Sequence, residues 1–230
     1  MPPSVVGKTK NGRLSFDRPP STQFKVGVAT ARTRRSLLIA GVTNYFGIDP
    51  GGSGGLAVLT AAGSATATTS SAVTMPATER DVWEWVENCT PHDGSNVFAV
   101  IEKVGGYAGD RASGGNGPAM FKFGMSYGGL RMALVAAGIP FDEVTPQTWQ
   151  KGLGIAPRRP HTKTREVQIK KGKNKGKWRT ERYGGETDTE FKNRLKAKAQ
   201  QLFPTVKVTL AVADALLIAE YCRRKREGKL

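Results

Sequence analysis

The chain has 230 residues and carries 35 Lys and Arg against 19 Asp and Glu, a net charge of +16. That size suits one domain with a good core, or a domain with tails. The charge favours a polyanionic partner, most commonly nucleic acid, and a structural RNA-binding role fits the composition as well as an enzymatic one. Two cysteines without spacing signal, Cys89 and Cys222, read as reduced thiols, and two histidines, His92 and His161, argue against a zinc site or histidine-based nucleophilic catalysis.

Residues 1–43 are rich in Pro, Thr and Arg, with Asp17 as the only acid. They read as a basic, flexible arm, and a transit peptide shares that composition. The ordered domain is expected over 44–226. Residues 45–49 read as a strand entering the Gly-rich turn 50–55. Residues 56–60 and 64–75 read as two further strands, which complete an antiparallel meander. Residues 78–89 read as a helix, because Val82, Trp85, Val86 and Cys89 recur on one face. Residues 97–104 are nearly all apolar, the mark of a strand buried on both faces.

A glycine-filled loop follows at 105–117. Pro118 suits the first turn of a helix that runs to about Ala137 and stops at Gly138. Residues 141–144 read as a short strand, and Pro146 opens a helical turn holding Trp149. Residues 155–186 are basic, Gly-rich and poorly patterned, and read as an insert without order of its own. Thr187 or Asp188 caps a helix reaching Phe203, where Pro204 breaks it. Residues 211–226 read as the last helix, with Leu210, Leu217 and Tyr221 packing on the sheet. No apolar stretch reaches membrane-spanning length. The element order predicts an α/β, ribonuclease-H-like fold: a mixed five-stranded sheet with helices on both faces.

Three acids stand at element ends. Asp49 closes a strand at a turn whose glycines let a phosphate approach the backbone. Glu102 ends the most apolar strand, where an acid is costly to bury unless paired or metal-bound. A solvated Glu102 bonded to Lys103 is the plainer alternative. Asp214 precedes an apolar helical run, and a mere partner for the helix dipole is its plainer alternative. In so basic a chain, carboxylates placed this way suggest divalent metal held against a phosphodiester, since carboxylates repel phosphates unless a cation lies between.

The words GIDPG, IEKV, TPQTW and ADALLIAEY, within 45–59, 98–104, 120–138, 144–149 and 213–221, resemble the RuvC family of Holliday-junction resolvases, its phage-type and chloroplast-type members above all. The resemblance spans most of 44–225 but neither the arm nor all of the insert. It implies metal-dependent resolution of four-way junctions and other branched DNA. Asp49, Glu102 and Asp214 would hold two Mg2+ ions, for which Mn2+ substitutes. Lys151 and Lys192 would stabilise charge at the phosphate. Tyr107, in the loop after Glu102, would stack on an unpaired base. The helix carrying Gly124 and Gly128 would form a homodimer interface. Lys170, Lys171, Lys173, Lys175 and Lys177 of the insert would contact DNA phosphates.

One position departs from the family pattern. An Asp or His often stands one turn before the last acid, and here that residue is Ala211. The departure implies a weaker second metal site, help from another acid such as Asp188, or a non-catalytic nucleic-acid-binding descendant. GIDPGGSGG also resembles the phosphate turn of actin-like and sugar-kinase ATPases. Those need a second such domain, for which the chain is too short. The expected location is the cytoplasm or nucleoid for a bacterial or phage protein, and an organelle if the arm is a transit peptide.

Overall fold

The computed structural model describes residues 42–62, 68–91, 96–103, 117–172 and 174–230. Most of the predicted arm, the loop with Tyr107, His92 and Lys173 lie outside the described residues. The first strand, β1 (Val42–Asp49), pairs antiparallel with β2 (Gly55–Ala62), which pairs antiparallel with β3 (Thr68–Thr74). On its other side β1 pairs in parallel with β4 (Asn96–Glu102), and β4 pairs in parallel with β5 (Phe141–Val144). The sheet order is therefore β3-β2-β1-β4-β5. This is a mixed α/β sheet of ribonuclease-H-like type.

Alternation along the strands divides the core in two. Phe46, Ile48, Leu56, Val58, Ala99 and Ile101 point to one face, which is covered by α1 (Glu79–Asn88) and α2 (Gly117–Ala136). Tyr45, Ala57, Leu59, Ala61 and Val100 point to the other. That face is covered by α5 (Leu210–Arg226), with α3 (Pro146–Gly152) and α4 (Asp188–Leu202) beside it. Because both faces are covered, the central strands read as continuous apolar runs. Each fully buried Leu, Ile or Phe adds roughly 1.5–3 kcal/mol to the folded state.

The last helix lies directly on the sheet. A Cβ placed on Gly47 would stand 2.2 Å from the Ala215 carbonyl oxygen and 2.2 Å from the Ala219 nitrogen. Only glycine allows that approach, which fixes α5 against β1. Local signals set the helix starts. Thr78 accepts a bond from the Asp81 amide. Thr187 forms a full capping box with Glu190, in which its side chain bonds the Glu190 amide and Glu190 bonds the Thr187 amide.

The structure corrects four expectations. The insert is ordered in part as an antiparallel hairpin, β6 (Lys163–Gln168) with β7 (Trp178–Tyr183). Its β-branched and aromatic residues Thr164, Val167, Trp178, Thr180 and Tyr183 favour strands. Charged neighbours on both faces hide the usual apolar alternation. Its connection turns through Gly172 and Gly176, at φ of 87° and 89°. Leu210 does not pack on the sheet: it is 49% exposed at the start of α5. Asp188 is exposed and paired with Arg158, so it does not reach toward the other acids. The first strand also begins at Val42, two residues before the predicted boundary.

Candidate active site

Asp49 and Glu102 are the last residues of two neighbouring parallel strands, one register step beyond the Ile48–Ile101 pair. Both stand at the carboxyl edge of the sheet. Asp214 lies in the second turn of α5, just ahead of Ala215, whose carbonyl meets β1 at Gly47. The parallel pairing and the glycine contact together bring these three words of sequence to one end of the molecule.

The Gly-rich turn after β1 serves the carboxylate itself. Gly54 donates its amide to the Gly51 carbonyl at 2.8 Å, closing the turn. A Cβ on Gly54 would lie 2.6 Å from the Asp49 Cγ. Any side chain there would push the carboxylate out of place. The Gly51 amide, 3.4 Å from Asp49 Oδ1, is the acid's only hydrogen-bond donor among the described residues.

All three acids are half-buried. Burial raises the pKa of Asp49, while the Gly51 bond and the Lys192 charge oppose the rise. Glu102 is pushed up to about 7 by burial, and the charges of Asp49 and Asp214 add to that rise. Asp214 is likewise pushed up to about 7 by burial and then by Asp49, with Lys192 opposing. The acids thus stand within electrostatic reach of one another. None forms an ion pair among the described residues.

Glu102 does not bond Lys103. Its Oε2 accepts from the Trp149 indole Nε1 at 2.8 Å. This explains the TPQTW word. Thr145 caps α3 by accepting from the Thr148 amide, Pro146 suits the first turn, and Trp149 is buried with its nitrogen on Glu102. Sequence reasoning did not assign Trp149 this role. A buried Trp needs a partner for its N–H, which is the one sequence signal available.

Lys192 lies exposed on α4, and its charge acts on both Asp49 and Asp214. Lys151 lies on the exposed side of α3, lining a groove with Gln147, Gln150, Gly154 and Ile155. Lys170, Lys171, Lys175 and Lys177 are exposed at the tip of the hairpin. Ala211, in the first turn of α5, brings no donor to the acids.

The donor set can be judged against a divalent ion. Three uncompensated carboxylates that repel one another suit a hard cation with oxygen ligands. They do not form a closed cage: among the described residues, no three Asp, Glu, His or Cys side chains are grouped to hold one ion. Glu102 has one oxygen on Trp149, which leaves the other for an ion. The set therefore fits ions that keep most of their shell as water or substrate oxygen, as Mg2+ does.

The strand order and helix placement define a ribonuclease-H-like domain. No family model matches the chain, and no curated protein matches it. Among solved structures, it is similar to Thermus thermophilus RuvC, at 17% identity and a TM-score of 0.44, over 82% of this chain and 97% of that one. It is also similar to T. thermophilus RuvC in complex with Holliday junction substrate, at 15% identity and a TM-score of 0.46, over 82% of this chain and 97% of that one. Both are likenesses of fold, and the chemistry rests on this chain's own residues.

Proposed function

We propose that this chain is a metal-dependent endonuclease that cuts branched DNA, four-way junctions included, as a homodimer. One observation carries the reading. A chain of net charge +16 keeps three mutually repelling carboxylates, without ion pairs, at one sheet edge. A protein that only bound phosphates would lose affinity through such a group. The choice of branched DNA among polyanions rests on the sequence words GIDPG, IEKV, TPQTW and ADALLIAEY.

Asp49, Glu102 and Asp214 would hold the metal. When bound, divalent ions supply an acidified water and neutralise charge at the scissile phosphate. Asp49, set by Gly51 and Gly54, presents a fixed carboxylate edge. Trp149 orients Glu102 and leaves its other oxygen available. Lys192 offers a cation to the charge that builds on the phosphate. No side chain need act as nucleophile.

The dimer reading rests on α2. Phe121, Met125, Met132 and Val135 are 72%, 55%, 60% and 58% exposed along one stripe of that helix. A Cβ on Gly124 or Gly128 would meet nothing within 4 Å, so a partner helix has room to approach closely. A two-fold dimer matches a junction with two symmetric strands to cut.

The test is incubation of purified protein with a labelled four-way junction, a flap and a linear duplex, with and without Mg2+. Metal-dependent nicking of the branched substrates supports the reading, and intact DNA in every lane rejects it. A second reading, a non-catalytic nucleic-acid-binding descendant of a nuclease, is favoured by Ala211 and by the absence of a three-ligand group among the described residues. Tight junction binding without cutting would select it.

A further inference from the structure

A two-stranded hairpin alone is marginally stable in water and gains stability from a covering layer. The β6–β7 ribbon has none: every strand residue but Val167 and Glu181 is exposed. It is held at its base. The buried carboxylate of Glu186 accepts from Arg194 Nε and Nη2, each at 2.9 Å, and from the Arg159 amide at 3.3 Å. Arg194 also donates to the Ala156 carbonyl at 2.9 Å, and Arg158 Nε donates to the Glu186 carbonyl at 2.7 Å. Arg194 lies on α4, two residues after Lys192. Both feet of the ribbon are thus tied to the helix that faces the carboxylates.

The two faces differ. On one, Arg165 pairs with Glu181 at 2.8 Å and its guanidinium lies 5.2 Å from the centre of the Tyr183 ring, which engages the middle of that face, while Lys163 and Arg179 beside them form no ion pair among the described residues. The other carries Thr164, Glu166 and Gln168 opposite Arg182, Thr180 and Trp178. There Thr180 donates to Glu166, while Arg182 has no partner among the described residues. Residues 163–183 hold nine Lys and Arg against two Glu, and both glutamates are engaged within the ribbon.

We propose that β6–β7 docks in the major groove of a duplex DNA arm, with the lysine turn on flanking phosphates and Arg182 toward base edges, while Gln168 stays bonded to the Gly176 carbonyl at 3.0 Å. The proposal rests on the DNA reading above and extends it from the cut site to an arm. Shape supports it: the B-DNA major groove, roughly 12 Å wide, admits a two-stranded ribbon. Six residues of strand span about 20 Å, more than half a helical turn. Double-stranded RNA fits poorly, because its major groove is too narrow to enter. A single-strand platform needs successive aromatics, and the face with Arg182 offers only Trp178.

The test uses the full chain in EDTA, so that nothing is cut, with a long-armed four-way junction. Methylation of guanine N7, which lies in the major groove, is scored for interference with binding. Wild type should show interference along an arm. Arg182→Ala should lose that signal and bind roughly tenfold more weakly, as expected for a lost bidentate base contact. Arg182→Lys should recover affinity in part without recovering the signal. Arg182 is exposed, so an unchanged melting temperature verifies folding. An arm signal absent from wild type, or unchanged in Arg182→Ala, overturns the proposal while junction binding stands. A defect confined to single-stranded DNA in Trp178→Ala overturns it in favour of stacking. Failure of wild type to bind any junction removes the DNA reading itself.

Discussion

The carboxyl edge of the sheet and the β6–β7 ribbon are electrostatic opposites, built in opposite ways. At the edge, three acids sit half-buried without ion pairs, on backbone packed so closely that Gly47 has no room for a Cβ. In the ribbon, cations crowd an exposed hairpin with almost no packing, and ion pairs join it at its base and once across its strands, at Arg165–Glu181. Repelling charges can be kept where packing enforces their positions, whereas a surface that must meet a long polyanion gains from being open. At the edge, close packing holds the acids against their repulsion; the ribbon is solvated and leaves its charge for a partner to neutralise.

Removing the edge's charge should have the largest effect. On the proposed function, Asp49→Asn lowers cutting by at least about a thousandfold, since metal assistance supplies several kcal/mol. Junction binding should survive, measured in EDTA by mobility shift. Loss of binding as well would mark a folding defect.

Packing beneath the edge comes next. Gly47→Ala drives a methyl into the α5 backbone and should cost about 3 kcal/mol in urea unfolding, at the upper end for overpacking. Gly124→Ala, on the open stripe of α2, should stabilise the monomer by up to about 1 kcal/mol, because alanine is the better helix former and its methyl meets nothing. Equal losses at the two glycines would erase the contrast between the packed and open regions.

Acid should stabilise the metal-free protein. Glu102 and Asp214 have folded pKa values raised to about 7, so the folded chain binds more protons than the unfolded one above roughly pH 4. The stabilisation is present in full below the unfolded carboxylate pKa and is lost as pH rises through about 7. Thermal melts in EDTA should show a decline on the order of 2 kcal/mol over that window, smaller in Asp214→Asn. A flat profile would mean that the acids are not held together.

The smallest global effect is expected at the ribbon's base. Arg194→Gln should release the ribbon to proteolysis between residues 163 and 183 while the sheet melts almost as before. Cooperative loss of the whole fold would show that the hairpin is part of the core.

Most of the sheet and its helices was legible in the sequence because local rules and tertiary packing agree there. The helical recurrence of Val82, Trp85, Val86 and Cys89 became α1, and the apolar run before Glu102 became β4, an interior strand of the sheet. Of the two candidate caps Thr187 and Asp188, Thr187 caps α4. The hairpin was not legible, because Lys and Arg on both faces leave no apolar alternation to read. The Glu186–Arg194 clamp and the Trp149–Glu102 bond were invisible for another reason. Their partners are chosen by the folded path of the chain, and Trp149 stands 47 residues from Glu102. The acids and Lys192 could be named from the resemblance, but the burial of the acids and their mutual repulsion could not.

The bond from Trp149 to Glu102, 2.8 Å long, has an optical consequence. Indole emission responds to the charge on the atom that its N–H meets, so this buried ring is a built-in fluorophore reporting on one carboxylate. The chain has three other tryptophans, Trp83, Trp85 and Trp178. With those changed to phenylalanine, the colour and lifetime of the remaining emission should follow the state of Glu102 in real time, as protons, ions or nucleic acid arrive, with no label attached.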